Sequence, residues 1–139
     1  YGDGSLKKEL TDLFKKYNVK INFLGKLNYN ELKKEFQKYK IFISTSLFEG
    51  NPKTILEAMS FGCVVVASNI KNNKELIDNK FNGLLFDFEE NLENIVQDLL
   101  LNDETTMSLG QNSLNTVNEK NKIEKIADLD IEDYKKLTR

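Results

Sequence analysis

The sequence predicts an α/β domain built on a doubly wound parallel sheet. Three observations carry that prediction. Apolar runs of strand length alternate with stretches of helical periodicity, in the order βαβαβαβ, and helices follow. One run, "CVVVAS" from Cys63 to Ser68, is apolar along its whole length and β-branched in the middle. Strands of that kind lie in sheets that helices cover on both faces. Finally, "NPKTILEAMSFG" sets Pro52 near a helix start and Gly62 just past its end.

The elements follow in order. Ser5 to Tyr17 has helical spacing, with Leu6, Leu10, Leu13 and Phe14 on one face. Ser5 is the expected N-cap, with Lys8 and Glu9 in the first turns. "VKINFLG" alternates Val19, Ile21 and Phe23 and stops at Gly25, which predicts a short strand. Asn30 is the expected cap of a helix that turns Leu32, Phe36 and Tyr39 inward. "IFIST" predicts the next strand, with Ile41 to Ser44 at its centre. The Pro52 helix and the Cys63 strand come next, then a short helix in "KNNKELIDN". An Asn82-Gly83 turn leads into the strand "LLFD". Glu89 to Leu101, Asp103 to Val117 and Ile123 to Leu137 are read as three closing helices.

Composition narrows the chemistry. The 139 residues suffice for one domain with a core, and a net charge of -2 gives no footprint for nucleic acid. The lysines are dispersed, and Arg139 is the sole arginine. The single cysteine, Cys63, excludes an internal disulfide, suits a reducing compartment and is read as a small buried hydrophobe. Histidine is absent, which excludes His-based acid–base catalysis within these residues and removes the commonest zinc ligand. No stretch is long and apolar enough to span a membrane, and none has the pattern of a signal peptide. "YGDGS" reads as the turn after a strand, so the chain is expected to be a fragment of a longer protein.

In such sheets ligands bind outside the carboxyl ends of the strands, where Leu24 to Asn28, Ser44 to Asn51 and Ser68 to Asn73 form the loops. The middle loop carries Glu49, and Glu57 follows eight residues later inside the helix. The helix start is a ready anion site, and Gly50 lets the backbone approach a ligand. Glu57 shares a face with Lys53, Thr54 and Ser60. Two readings are open: the carboxylates grip separate hydroxyl groups of an extended ligand, or Lys53 and Glu57 are an ordinary pair on a solvated face.

"FEGNPKTILEAMSFGCVVVAS" resembles the signature of retaining glycosyltransferases of the GT-B fold, specifically glycosyltransferase family 4. The pattern is Glu, seven residues, Glu, then Ala-Met and a Gly before a Val-rich strand. "GDGSLKKEL", "VKINFLGKL" and "NKELIDNKFNGLLFD" resemble further family segments in the right order, so the likeness spans residues 2 to about 110. The resemblance implies the Rossmann-like C-terminal domain of that fold, incomplete at its N-terminus, with the acceptor domain absent. It implies that Glu49, as the catalytic-site carboxylate, contacts the donor sugar and that Glu57 holds the ribose. Gly50 and Asn51 would lie near the sugar, Thr54 and Ile55 at the diphosphate, and Gly25, Lys26 and Leu27 along the base. Lys26 as a solvated lysine and Thr54 as an ordinary first-turn residue are the plainer alternatives. Cys63 departs from the family's usual proline, and Thr45-Ser46 stands in for its Pro-Ser.

The implied function is donor binding in an enzyme that moves a sugar from a UDP- or GDP-linked donor to a glycan or glycolipid of the cell surface. No metal and no cofactor are implied. A basic pair for the diphosphate and the acceptor site would lie upstream of residue 1. The parent is expected in the cytoplasm, at the membrane's cytoplasmic face if peripheral, and the fragment alone is expected to be inactive and prone to self-association. A GT-B epimerase and a non-catalytic nucleotide-binding module are the alternatives. The family's strand order is 3-2-1-4-5-6. By that order the strands near Ile41, Val64 and Leu84 should pair in parallel, with Val19 to Phe23 detached from them, paired with a missing segment or rescued by another chain.

Overall fold

The computed structural model of the protein describes residues 4–50, 52–88 and 92–120. The chain divides into two units, Tyr1–Glu35 and Phe36–Arg139.

The first unit holds helix α1 (Lys7–Lys16) and most of α2 (Tyr29–Phe36). Ser5 does not cap α1. The N-cap is Leu6, in helical conformation and with no side-chain bond. Thr11 instead returns its hydroxyl to the Lys7 carbonyl. The helix ends in a Schellman motif: Asn18, at φ 52°, donates its N–H to the Lys15 carbonyl, and the Val19 N–H reaches the Phe14 carbonyl. Residues 19–24 then run without forming a strand. Their alternation fits a half-buried strand, but a ladder needs a neighbour, and none is found among the described residues. Leu6, Leu10 and Leu13 are exposed.

The cap of α2 is Asn28, not Asn30. Asn28 Oδ1 accepts the Glu31 N–H at 3.0 Å, and Glu31 Oε2 accepts the Asn28 N–H at 2.8 Å, a reciprocal capping box. Leu32 and Phe36 are buried as expected, but Tyr39 lies beyond the helix and is exposed.

The second unit is built on three parallel strands, β1 (Ile41–Ser44), β2 (Val64–Ser68) and β3 (Leu84–Phe86), in the order β1-β2-β3. This is the pairing expected of the strands near Ile41, Val64 and Leu84, with residues 19–23 outside the sheet. Every residue of β2 is buried, which is what its apolar, β-branched run dictates. Val64 and Val66 meet Phe86, Leu99 and Leu109 in one core cluster. The side chains of Leu99 and Leu109 come from α5 (Leu92–Leu101) and α6 (Asp103–Lys120).

Helix α3 (Lys53–Ser60) buries Ile55, Ala58 and Met59. Pro52 is its N-cap residue rather than its first helical one. The helix closes in a second Schellman motif, with Gly62 at φ 71° and the Gly62 and Cys63 N–H groups on the Met59 and Ala58 carbonyls. Cys63 is buried, and its thiol faces the carbonyls of Phe36 and Tyr39. Burial pushes that thiol's pKa up.

The short helix α4 (Lys71–Lys74) precedes a turn whose left-handed residue is Lys80, at φ 68°. Gly83 serves another purpose than the expected Asn-Gly turn: a β-carbon there would lie 2.9 Å from the Val65 carbonyl oxygen. Asn82 is buried and donates from Nδ2 to Thr116 Oγ1 at 3.2 Å, tying this turn to α6. Asn102 Oδ1 caps α6 through the Thr105 N–H. The start of the first closing helix at Glu89 and the whole helix expected over Ile123 to Leu137 lie outside the described residues.

Candidate functional site

The parallel register sets Ser44, the last residue of β1, beside Ala67, next to the end of β2. The loops after these strands therefore leave the sheet at the same, carboxyl, end. The first, residues 45–50, carries Glu49 and leads to α3. The second, residues 69 and 70, leads to α4.

Glu49 and Glu57 are both half-buried. Neither carboxylate has a hydrogen bond or ion pair among the described residues. Lys53 and Glu57 in particular do not pair, so the reading of an ordinary surface pair is not realised. Lys53 is exposed and Thr54 half-buried. Ile55 is different: its side chain is 2% exposed, and its N–H already donates to the Pro52 carbonyl at 3.0 Å. Leu56 N–H shares that acceptor at 3.3 Å. The amides of Lys53 and Thr54, at the first two helical positions, are the ones that helix geometry leaves without a partner. The first turn holds no acidic side chain. Gly50 is exposed, with open space where a β-carbon would sit. Asn51 lies outside the described residues.

Gly25, Lys26 and Leu27 belong to the first unit. Gly25 adopts φ 67°, a left-handed conformation that favours glycine. Lys26 is exposed and Leu27 half-buried.

Sequence reasoning singled out the loop after β2 but assigned no residue in it. The structure finds a polar cluster there. Ser68 Oγ donates to the Ser46 carbonyl. Asn73 Nδ2 donates to the Ser68 carbonyl at 2.9 Å. Asn72 Nδ2 donates to the Gly50 carbonyl at 2.7 Å. A separate groove of about 820 Å³ runs past Leu84, Leu85, Ile95 and Leu101 and contains neither Glu49 nor Glu57. Among the described residues no three His, Cys, Asp or Glu side chains gather to hold a metal ion, and no helix is long and apolar enough to cross a membrane.

The site thus offers two unpaired carboxylates, one before and one within a helix whose start is open to an anion. The family described as "Glycosyl transferases group 1" matches residues 1–116. The chain belongs to that family. This group 1 chain is 31% identical over 105 residues to a Campylobacter jejuni enzyme named as an α-1,4-N-acetyl-D-galactosaminyltransferase acting on a PP-undecaprenol-linked glycan, covering 74% of the chain and 29% of the relative. It is 33% identical over 93 residues to an Escherichia coli UDP-Gal:α-D-GlcNAc-diphosphoundecaprenol α-1,3-galactosyltransferase, covering 64% and 23%. The chain therefore spans less than a third of the length of these curated relatives.

Among solved structures, the group 1 chain is similar to Anabaena HepE in complex with UDP and glucose, with a TM-score of 0.81 at 22% identity over 93% of this chain and 36% of the other. It is also similar to the C-terminal domain of a glycosyl transferase group 1 family protein from Francisella tularensis, with a TM-score of 0.74 at 26% identity over 85% and 63%. The fold is the Rossmann-like α/β fold of GT-B enzymes.

Proposed function

We propose that this chain is the donor-binding part of a retaining glycosyltransferase. The full protein would transfer a sugar from a nucleotide diphosphate, UDP or GDP, to a glycan or glycolipid acceptor held by a separate N-terminal domain. The observation that carries this reading is the pair of half-buried, unpartnered carboxylates, Glu49 and Glu57, on either side of an open helix start. A carboxylate that accepts hydrogen bonds from hydroxyl groups makes charge-assisted contacts, each of about 1.5–3 kcal/mol. Glu57 would hold the ribose and Glu49 the donor sugar, with Gly50 and Asn51 lining the sugar side. The diphosphate would sit at the N–H groups of Lys53 and Thr54, which leaves Ile55 to shape the site through its place in the core.

Departure of the nucleoside diphosphate leaves a developing negative charge. Fixed N–H dipoles at the helix start stabilise it without reorganising, the work a divalent cation does elsewhere. No metal and no cofactor is needed in this scheme. The lipid-linked glycans in the names of the C. jejuni and E. coli relatives support a similar acceptor class and a parent at the cytoplasmic face of the membrane.

The test is a thermal-shift panel of UDP- and GDP-sugars on the full protein. A ligand of the folded state raises the melting temperature by mass action. One nucleotide sugar should raise it more than its free nucleoside diphosphate does. A panel in which no nucleotide sugar shifts the transition would defeat the reading.

A further inference from the structure

The loop that carries Glu49 is held from the neighbouring segment. Ser68 Oγ donates to the Ser46 carbonyl, three residues before Glu49. Asn72 Nδ2 donates to the Gly50 carbonyl, immediately after it. The first bond is oriented from behind. Asn73 Nδ2 reaches Ser68 Oγ at 3.4 Å as well as the Ser68 carbonyl, and an oxygen that accepts from Asn73 turns its own proton toward Ser46. Ser68 and Asn73 are both fully buried, so this end of the brace lies in the body of the domain.

Packing does little to hold the same loop. Leu47 is 76% exposed and Phe48 is 85% exposed. Among the described residues, the hydrogen bonds that side chains give to residues 45–50 come from Ser68 and Asn72. Without these two bonds little would fix the loop backbone, and its movement would displace Glu49. Bonds made before the ligand arrives remove part of the ordering cost of binding.

We propose that Asn72 is a positioning residue for Glu49. It acts through the Gly50 carbonyl, holds the backbone on the C-terminal side of the carboxylate, and makes no contact with the donor itself. The inference rests on the donor-binding reading of this loop and adds a residue outside the Glu49–Glu57 segment. Because the two carboxylates sit on different supports, Glu49 on the braced loop and Glu57 on α3, loss of the brace should disturb the sugar end and spare the nucleotide end.

Asn72→Asp tests it in the full protein. The substitution keeps the shape, removes the donor and sets a carboxylate against the Gly50 carbonyl. Asn72→Ala removes the same bond without adding charge. Hydrogen exchange of residues 45–50, measured without ligand, should quicken at least about fivefold in both variants, the worth of one such bond. Turnover with the nucleotide sugar should fall about tenfold or more, as displaced catalytic groups do. Affinity for the free nucleoside diphosphate should stay within about twofold, since Lys53, Thr54 and Glu57 are untouched. Unchanged exchange in this loop overturns the inference, and so does unchanged turnover. A parallel loss of nucleoside diphosphate affinity overturns it too, because Asn72 would then act on the whole site. A wild-type protein that neither binds nor turns over any nucleotide sugar defeats the donor-binding reading instead; normal wild-type activity with unaffected variants defeats this inference alone.

Discussion

The carbonyl oxygen of Gly62 lies so close to Gly110 that a β-carbon added to Gly110 would come within 2.5 Å of it. Gly62 ends α3 and Gly110 lies inside α6, so this backbone-to-backbone contact sets how closely α6 packs on the start of β2. Both residues are needed for different reasons: Gly62 for its φ of 71°, Gly110 for space.

Gly110→Ala is therefore expected to destabilise the protein. In an exposed helix the same change gains up to about 1 kcal/mol. Here the obstacle is a backbone oxygen with no rotamer to yield, and forced overpacking costs about 1–3 kcal/mol. Urea unfolding should show a net loss. A gain in stability would mean that α6 stands further from Gly62 than the structure places it.

The buried thiol of Cys63 makes stability fall at alkaline pH. Burial raises its folded pKa, so the contribution is fully present below the ordinary thiol pKa of about 8.5. Above that value the unfolded thiol ionises first, and the contribution declines until the folded thiol also ionises. The difference in unfolding free energy between wild type and Cys63→Ala should shrink as pH rises past about 8.5. The comparison removes the effect of lysines and tyrosines that titrate in the same range. A difference that is constant or grows with pH would contradict the burial of this thiol.

What the sequence made legible follows from how local each signal is. The β1–α3–β2 unit was readable because Pro52, Gly62 and the run Val64 to Val66 each impose a constraint on their own neighbourhood. The strand expected at Val19 to Phe23 is not formed: alternation describes a face, not a partner, and a ladder needs one, which is not found among the described residues. The cap of α2 was misplaced by two residues although the signal was there: Asn28 has Glu31 three positions on, the spacing of a capping box. Gly83 was assigned to a turn because close approach to Val65 is a tertiary fact. In the candidate site, Glu49 and Glu57 stood out by spacing. Asn72 did not, since a bond to a carbonyl 22 residues away leaves no period in the sequence.

Transfer by the full protein is expected to proceed without a divalent cation. The proposal sets helix N–H groups where a cation would otherwise meet the diphosphate. Initial rates in excess chelator should match those in magnesium to within about twofold, since no metal-generated charge enters the transition state. Loss of activity with chelator and its return with magnesium or manganese would count against the scheme.

The two carboxylates should divide the donor between them. Glu57 is fixed on α3, whose neighbours Ile55, Ala58 and Met59 are core residues, so its removal should leave the loop undisturbed. Glu49 sits in the braced loop one residue before Gly50. Glu57→Ala should weaken the free nucleoside diphosphate by about 10-fold or more, the loss of one charge-assisted hydrogen bond of about 1.5–3 kcal/mol. Glu49→Ala should leave that affinity nearly unchanged and lower turnover with the intact donor, because its partner is the sugar that the diphosphate lacks. Both variants should unfold near the wild-type midpoint, since neither carboxylate has a partner among the described residues to leave behind. Calorimetric titration of the nucleoside diphosphate into each variant, set beside steady-state kinetics with the nucleotide sugar, separates the two roles. Equal losses of nucleoside diphosphate affinity in the two variants would refute the division.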